Sequence, residues 1–474
     1  MSPHRTLAIV GAGFSGTMVA ANLLQAQHWA ATKIVLIERS AGVARGKAYA
    51  AREYPYLLNV PAGRMSADSS SPFDFLSFVQ HRIPAATAED FVPRELYGQY
   101  LESKLAEAEG SAAPHVQFER LRADVCDLEK LSSGSAYRLR FADGRMLDAH
   151  DVVLALGNPA PADFPGTEGL GSQYVADPWA QPLRFNQGET VLLIGTGLTM
   201  ADVTLAASSS TRDRLVIHAL SRHGLIAPCQ TQFTQPVACK GDIASMLRAA
   251  SFSALTLFRS ARELAEDTVL RGGDWREAIT FIRNIAPAIW QRLPARERRR
   301  LLRHVRAYWD VHRHRLPSET LTKLSSLMER GKLHTHAGRL LSFESADGRV
   351  RVTWRARGEH ATRTLLVDRV VNCTGPDYNI QRSRDPLLRS LLSQGLAVSD
   401  SLNLGIRTGA YGALIDRDSR AANNLYYIGP MLRADHWEAT AAHELGGHAE
   451  RLASYLSAPV GRLQAASAPQ TARA

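Results

Sequence analysis

Five short, largely apolar runs punctuate the chain, and each ends at a glycine. They are Leu7–Val10 before Gly11, Val152–Leu156 before Gly157, Val191–Ile194 before Gly195, Val370–Thr374 before Gly375 and Leu425–Ile428 before Gly429. Unbroken apolar runs, as opposed to apolar–polar alternation, mark strands covered on both faces, as in parallel sheets. Between them lie stretches with helical spacing: Thr17 to about Gln27, a segment from Ala201, most of 240–330, and Glu438 to about Leu456. Strands alternating with helices predict an α/β fold.

The first turn reads Gly11-Ala12-Gly13-Phe14-Ser15-Gly16, a G-x-G-x-x-G between strand and helix. In that setting Gly11 permits the tight turn, Gly13 lets backbone approach a pyrophosphate, and Gly16 lets helix pack on strand. The helix N-terminus, with its free N–H groups, then faces the phosphates. The next strand, Lys33–Glu38, ends in an acid 22 residues after Gly16, with Arg39 beside it. A carboxylate there can bond ribose hydroxyls.

The same grammar recurs in mid-chain as Gly195-Thr196-Gly197-Leu198-Thr199-Met200, with Met200 in place of the third glycine. The strand that follows, Leu215–Leu220, ends in Ser221-Arg222-His223-Gly224 and carries no acid. Arg222 has the planar fork that suits a 2′-phosphate, which favours NADPH over NADH. Two such turns in one chain are the arrangement that holds FAD at one and NAD(P)H at the other. Gly157, Gly375 and Gly429 then mark crossings between domains and close approach to a cofactor. The expected fold class is α/β with two dinucleotide-binding, Rossmann-like domains. A discontinuous FAD domain takes residues 1–180 and 365–458. An NAD(P) domain, 185–364, is inserted between them and carries a helical insertion, 240–330, over the site. Residues 459–474, rich in Ala, Pro, Gln and Ser, read as a disordered tail.

Size and charge narrow the function classes. At 474 residues the chain is long enough for two or three domains, and 45% apolar residues can build their cores. No run approaches the roughly 20 apolar residues that span a bilayer, and no signal peptide precedes Gly11, so a cytoplasmic protein is expected. The net charge is +10. Much of the excess lies in 294–315, PARERRRLLRHVRAYWDVHRHR, which fits the solvated face of an amphipathic helix. No nucleic-acid motif accompanies it, so neither nucleic acid nor membrane is an expected partner. Cys126, Cys229, Cys239 and Cys373 form no C-x-x-C pair, which counts against a dithiol reductase and a zinc knuckle. His443 and His448 are five apart, off the i, i+4 spacing of a helical metal site. The H-x-H pairs His312/His314 and His334/His336 lack a third ligand nearby in sequence, so no metal is expected.

GAGFSGT, LLNVPAGRMS (57–66), VPRELYGQYL (92–101), LLIGTGLTMAD (192–202), YWDVHRHR (308–315), NCTGP (372–376) and IGPMLRADHWEATA (428–441) together resemble the bacterial FAD/NAD(P)-binding flavoprotein family. The resemblance covers about residues 5–455 and is distantly similar to class B flavin monooxygenases, amine N-hydroxylases among them. It departs from many two-domain flavoproteins in having Pro430, not Asp, after Gly429, and it lacks the Baeyer–Villiger fingerprint. It implies bound FAD and an NADPH site, with Asn59, Arg64, Met65, Val125 and Trp437 added to the glycine turns as candidate cofactor contacts. An Asn amide can bond a flavin edge, and an Arg can hold an anionic substrate or phosphate. The function implied is an FAD-dependent, NADPH-consuming monooxygenase, acting through a flavin hydroperoxide on a small nucleophilic substrate such as an amine, with O2 as co-substrate. The alternatives are a reductase passing electrons to a quinone or protein acceptor, and a non-catalytic nucleotide sensor.

Overall fold

The computed structural model describes residues 5–26, 32–132, 134–230 and 253–458. The tail 459–474 and the start of the expected insertion, 240–252, lie outside the described residues.

The first sheet is built around β1 (Arg5–Val10), β2 (Thr32–Glu38), β3 (Val116–Arg122), β7 (Asp151–Leu154), β15 (Ala413–Ile415) and β16 (Ala421–Tyr427), in the order β15-β16-β7-β1-β2-β3. Its four central strands are parallel. Leu7, Ala8, Ile9 and Val152–Leu154 are fully buried, as an unbroken apolar run requires. Helices α1 (Phe14–Gln25), α2 (Asp74–Gln80) and α3 (Arg94–Gly110) cover one face. A small antiparallel sheet of β4 (Val125–Lys130), β5 (Tyr137–Phe141) and β6 (Met146–Ala149) covers the other.

The second sheet holds β8 (Tyr174–Val175), β9 (Thr190–Ile194), β10 (Val216–Ser221), β11 (Leu333–Ala346), β12 (Arg349–Ala356), β13 (Thr362–Val367) and β14 (Arg369–Asn372), in the order β13-β12-β11-β10-β9-β14-β8. Here the expected boundaries need correction. Both β8 and β14 pair in this sheet, so the second domain begins before 185 and ends after 364. The reason is visible in β14: Val370 and Val371 are fully buried and lie in parallel register with Leu192 and Leu193.

Helix α4 (Leu198–Thr211) follows β9. The insertion supplies α5 (Ala254–Leu270), α6 (Trp275–Arg292), α7 (Ala295–His304), α8 (Arg306–Arg313) and α9 (Ser318–Glu329). Ser253 caps α5, and Asp274 with Glu277 forms a capping box on α6. The chain returns through α10 (Pro386–Gln394) and α11 (Ala442–Ser457).

The two crossings between domains are bonded to each other. Asp377 N–H donates to Ala160 O at 3.1 Å, and Tyr378 Oη to Asn158 Oδ1 at 3.1 Å. Asn372, fully buried, donates through Nδ2 to Ala162 O at 2.9 Å. Among the described residues, no helix is long and apolar enough to cross a membrane.

Candidate cofactor and substrate site

The two glycine turns are built alike. Gly11 has φ +100°, and a Cβ there would collide with the Ala155 carbonyl oxygen on the neighbouring crossing. Gly195 has φ +115°, and a Cβ there would stand 2.6 Å from the Cys373 carbonyl oxygen. A Cβ at Gly16 would run into the Gly11 carbonyl, so that glycine is demanded by packing. Met200 is fully buried where the second turn lacks a glycine.

Gly13 and Gly197 differ from these. They are the N-cap residues of α1 and α4, both with negative φ, and neither helix has a side-chain cap or an acid in its first turn. Nothing crowds Gly197, and Gly13 meets only Gly46, whose Cα lies 3.6 Å from where a Cβ would stand. Two helix N-termini are therefore open to phosphate, with room kept by glycine where a side chain would fill the space. That fits the pyrophosphate of one dinucleotide at each turn.

Around the first turn, Ala12 N–H donates to Glu38 Oε2 at 2.8 Å, while Glu38 Oε1 accepts from Ser40 N–H at 2.9 Å and Ser40 Oγ at 2.8 Å. The acid expected to hold a ribose thus first ties the glycine turn to the end of β2. Arg39 is exposed beside it. Val125 begins β4 with its side chain in the core, two residues beyond Ala123, whose N–H donates to Glu38 O at 3.0 Å. Phe14 stacks on Tyr97 at 6.3 Å, and Ser15 is buried. Asn59 is half-buried, Arg64 sits in a short 3-10 turn (Ala62–Arg64), and Met65 is buried in the core beside it. Burial lowers the pKa of Arg64.

At the second turn, Leu198 and Thr199 open α4, and Thr196 Oγ1 bonds Ser221 Oγ at 2.9 Å and Leu225 O at 2.6 Å. This fixes the end of β10, where Arg222 stands exposed with no hydrogen bond or ion pair among the described residues. Gly157 and Gly375 sit on the crossings with φ +70° and +82° and open space beside each Cα. Gly429 has φ +147° and backs onto the Tyr427 hydroxyl.

Trp437 is the expectation the structure corrects. It is 5% exposed, with Trp290 of α6 stacked 4.6 Å away and the Arg433 guanidinium 4.0 Å from its ring centre. It joins the insertion to the carboxy-terminal segment and is not open to a cofactor.

Sequence reasoning missed several residues. Gly46 faces Gly13. Gly405 has φ +150°, and a Cβ there would collide with the Met431 carbonyl. Arg94 spans the domains, with Nη2 2.8 Å from Asp202 Oδ2 on α4. The shallow surface recess beside it is lined by Lys47, Arg52, Tyr54, Tyr56 and Trp179. The 294–315 arginines divide. Arg296, Arg299, Arg300 and Arg303 are exposed as expected, whereas Arg313 and Arg315 turn inward. The His334/His336 pair meets a third imidazole, His218 of β10, whose Nδ1 is 3.0 Å from His336 Nε2. The rings stack in near-parallel planes, and among the described residues no group of three side chains is arranged to hold a metal.

Residues 8–159 match the profile of a family described as FAD-NAD(P)-binding. No curated protein matches the chain. Among solved structures, the ornithine N-hydroxylase of Kutzneria sp. 744, with reduced FAD, NADP+ and L-ornithine, superposes with a TM-score of 0.62 at 14% identity, over 98% of this chain and 100% of that one. L-lysine 6-monooxygenase of Pseudomonas syringae gives a TM-score of 0.62 at 17% identity, over 96% and 99%. Bacillithiol disulfide reductase of Staphylococcus aureus gives 0.54 at 12%, over 96% and 98%. The chain carries an FAD-NAD(P)-binding domain at its amino end and, over its described residues, the two-domain fold of these enzymes.

Proposed function

We propose that the protein is an FAD- and NADPH-dependent monooxygenase of the cytoplasm that hydroxylates a nitrogen of a small amine-bearing substrate. The observation that carries this reading is the pair of uncapped glycine turns, one per domain, in a sequence with no C-x-x-C pair to relay electrons onward. Cys373, the cysteine beside the second turn, is fully buried and its thiol is pushed far up in pKa, the reverse of a reactive thiolate. The solved N-hydroxylases of the same fold support the amine as substrate class.

In this reading one oxygen atom of O2 goes to the nitrogen and the other leaves as water, with two electrons from NADPH. Bound FAD supplies the oxygen-activating chemistry. The chain's residues bind and exclude. The N-termini of α1 and α4 hold the two pyrophosphates, and Arg222 holds the 2′-phosphate. The insertion, locked down by Trp290 on Trp437, keeps water from the site.

Anaerobic mixing of the yellow protein with NADPH is the test. Bleaching, followed on aeration by amine-stimulated O2 uptake, supports the reading. Bleaching without O2 uptake, in the presence of a quinone that is reduced, would assign a reductase. No bleaching would leave a nucleotide sensor.

A further inference from the structure

The second glycine turn is bonded directly to the strand end that carries Arg222. Gly195 N–H donates to Leu220 O at 2.8 Å, Thr196 Oγ1 bonds Ser221 Oγ at 2.9 Å, and Gly224 N–H donates to Ser221 Oγ at 2.9 Å. The sheet extends that position sideways across two more strands. Ser221 of β10 stands opposite Ala337 of β11. Arg357, the residue after β12, donates its N–H to Ala337 O at 2.9 Å. The turn at Gly224 rests on the same alanine, where a Cβ on the glycine would lie 3.1 Å from the Ala337 Cβ. Ser221, Ala337 and Arg357 therefore form one row, and with strands about 4.8 Å apart the backbones of Ser221 and Arg357 are separated by about 10 Å. The row crosses the carboxyl end of β10, the edge at which open parallel sheets take their ligands.

Arg222 and Arg357 are both exposed at this edge, and neither guanidinium has a hydrogen bond or ion pair among the described residues. Glu359, the carboxylate nearest Arg357 in the chain, is taken by Arg363, with Nε 3.2 Å from Oε2 and Nη2 2.6 Å from Oε1. His223 lies within reach of both arginines: burial, then the charge of Arg357 and that of Arg222, hold its pKa below the ordinary value. Its ring packs on Tyr308 of α8, with centres 5.5 Å apart, which anchors the loop that presents Arg222.

We propose that Arg357 is a second specificity-determining residue for the coenzyme, closing on the 2′-phosphate of NADPH from the β12 side while Arg222 holds it from the β10 side. This role rests on Arg222 holding that phosphate, as proposed above. A phosphate monoester carries close to two negative charges at neutral pH, so one such group accommodates two guanidinium forks. Arg357 lies more than a hundred residues beyond the glycine turn in the chain, and the β10–β11–β12 pairing is what returns it to the same edge.

Titration calorimetry of the FAD-loaded protein with NADP+, NAD+ and inorganic phosphate tests this on wild type, Arg357→Ala, Arg357→Lys and Arg222→Ala. Wild type should bind NADP+ more tightly than NAD+. Arg357→Ala should bind NADP+ about tenfold more weakly, the loss of one charge-assisted contact. Its affinity for NAD+ and its melting temperature should stay those of wild type. Arg357→Lys should recover part of the loss, because the charge remains without the fork. NADP+ affinity that is unchanged in Arg357→Ala but reduced in Arg222→Ala overturns the role of Arg357 and leaves Arg222 in place. Unchanged affinity in both variants overturns it together with the assignment of the 2′-phosphate to this strand end. Equal losses of NADP+ and NAD+ overturn it by making Arg357 structural. Inorganic phosphate bound as tightly as NADP+, and lost in Arg357→Ala, overturns it in favour of a site for the free ion. None of these measurements needs turnover, so they stand apart from whether an amine stimulates O2 uptake.

Discussion

At the scale of single residues, the glycines of one motif separate into two kinds. Gly16 is required by its own neighbours, so Gly16→Ala should cost folding stability whether or not FAD is present. Gly13 has room, so Gly13→Val should fold with little change in melting temperature yet purify without flavin. Flavin absorbance and melting temperature, read together, check both, and a fully yellow Gly13→Val protein would count against FAD at this turn. Arg222 is exposed and makes no hydrogen bond or ion pair among the described residues, so its removal should act chiefly on the coenzyme. A charge-assisted phosphate contact contributes about 1.5–3 kcal/mol, or roughly ten- to a hundred-fold in affinity. Arg222→Ala should raise the KM for NADPH by that factor and leave NADH nearly unchanged; equal loss with both would make Arg222 structural.

At the scale of elements, the strand–turn–helix units were legible in the sequence because their signals are local: an apolar run, a glycine that needs positive φ, an acid at the next strand end. Contacts made across elements left no such signal. The arginines of 294–315 look alike in sequence, yet α8 turns Arg313 inward only because Glu438, more than a hundred residues later, waits for it. Trp437 read as a cofactor contact because its partner Trp290 lies in a different element. His218, His334 and His336 meet for the same reason, since parallel pairing of β10 and β11 sets His218 opposite His334. Burial holds His218 down to about 4 and His448, beside His436, to about 4. A histidine depressed in the folded state is neutral there and charges more readily when unfolded. Stability should therefore be full above pH 6.5 and fall as the pH drops toward 4, each such histidine adding about 1.4 kcal/mol per pH unit to the slope. Denaturant titrations of wild type and His448→Gln between pH 7 and 4.5 check this, and equal slopes would contradict it.

At the scale of the whole molecule, the two-domain plan and the carboxy-terminal return were legible, but the boundaries were not. Every strand of the second sheet lies between the two crossings, and only pairing reveals that β8 and β14 belong to the second domain. The crossings and the Arg94–Asp202 pair hold the two turns in fixed relation. Asp202 is largely but not fully buried, its carboxyl raised by burial and drawn back by Arg94. Removing Arg94 strands that charge, so Arg94→Ala should cost about 3 kcal/mol, visible as a lowered denaturation midpoint, and should slow NADPH-driven bleaching more than it weakens NADPH binding. The central claim is that both turns serve one oxygen-inserting reaction. The most direct measurement is mass spectrometry of the product formed from an amine that stimulates NADPH oxidation, under 18O-labelled dioxygen. The account predicts a hydroxylated nitrogen carrying one labelled oxygen atom, with NADPH consumed in equal amount. NADPH oxidation that yields no labelled product while a quinone or disulfide is reduced would contradict it.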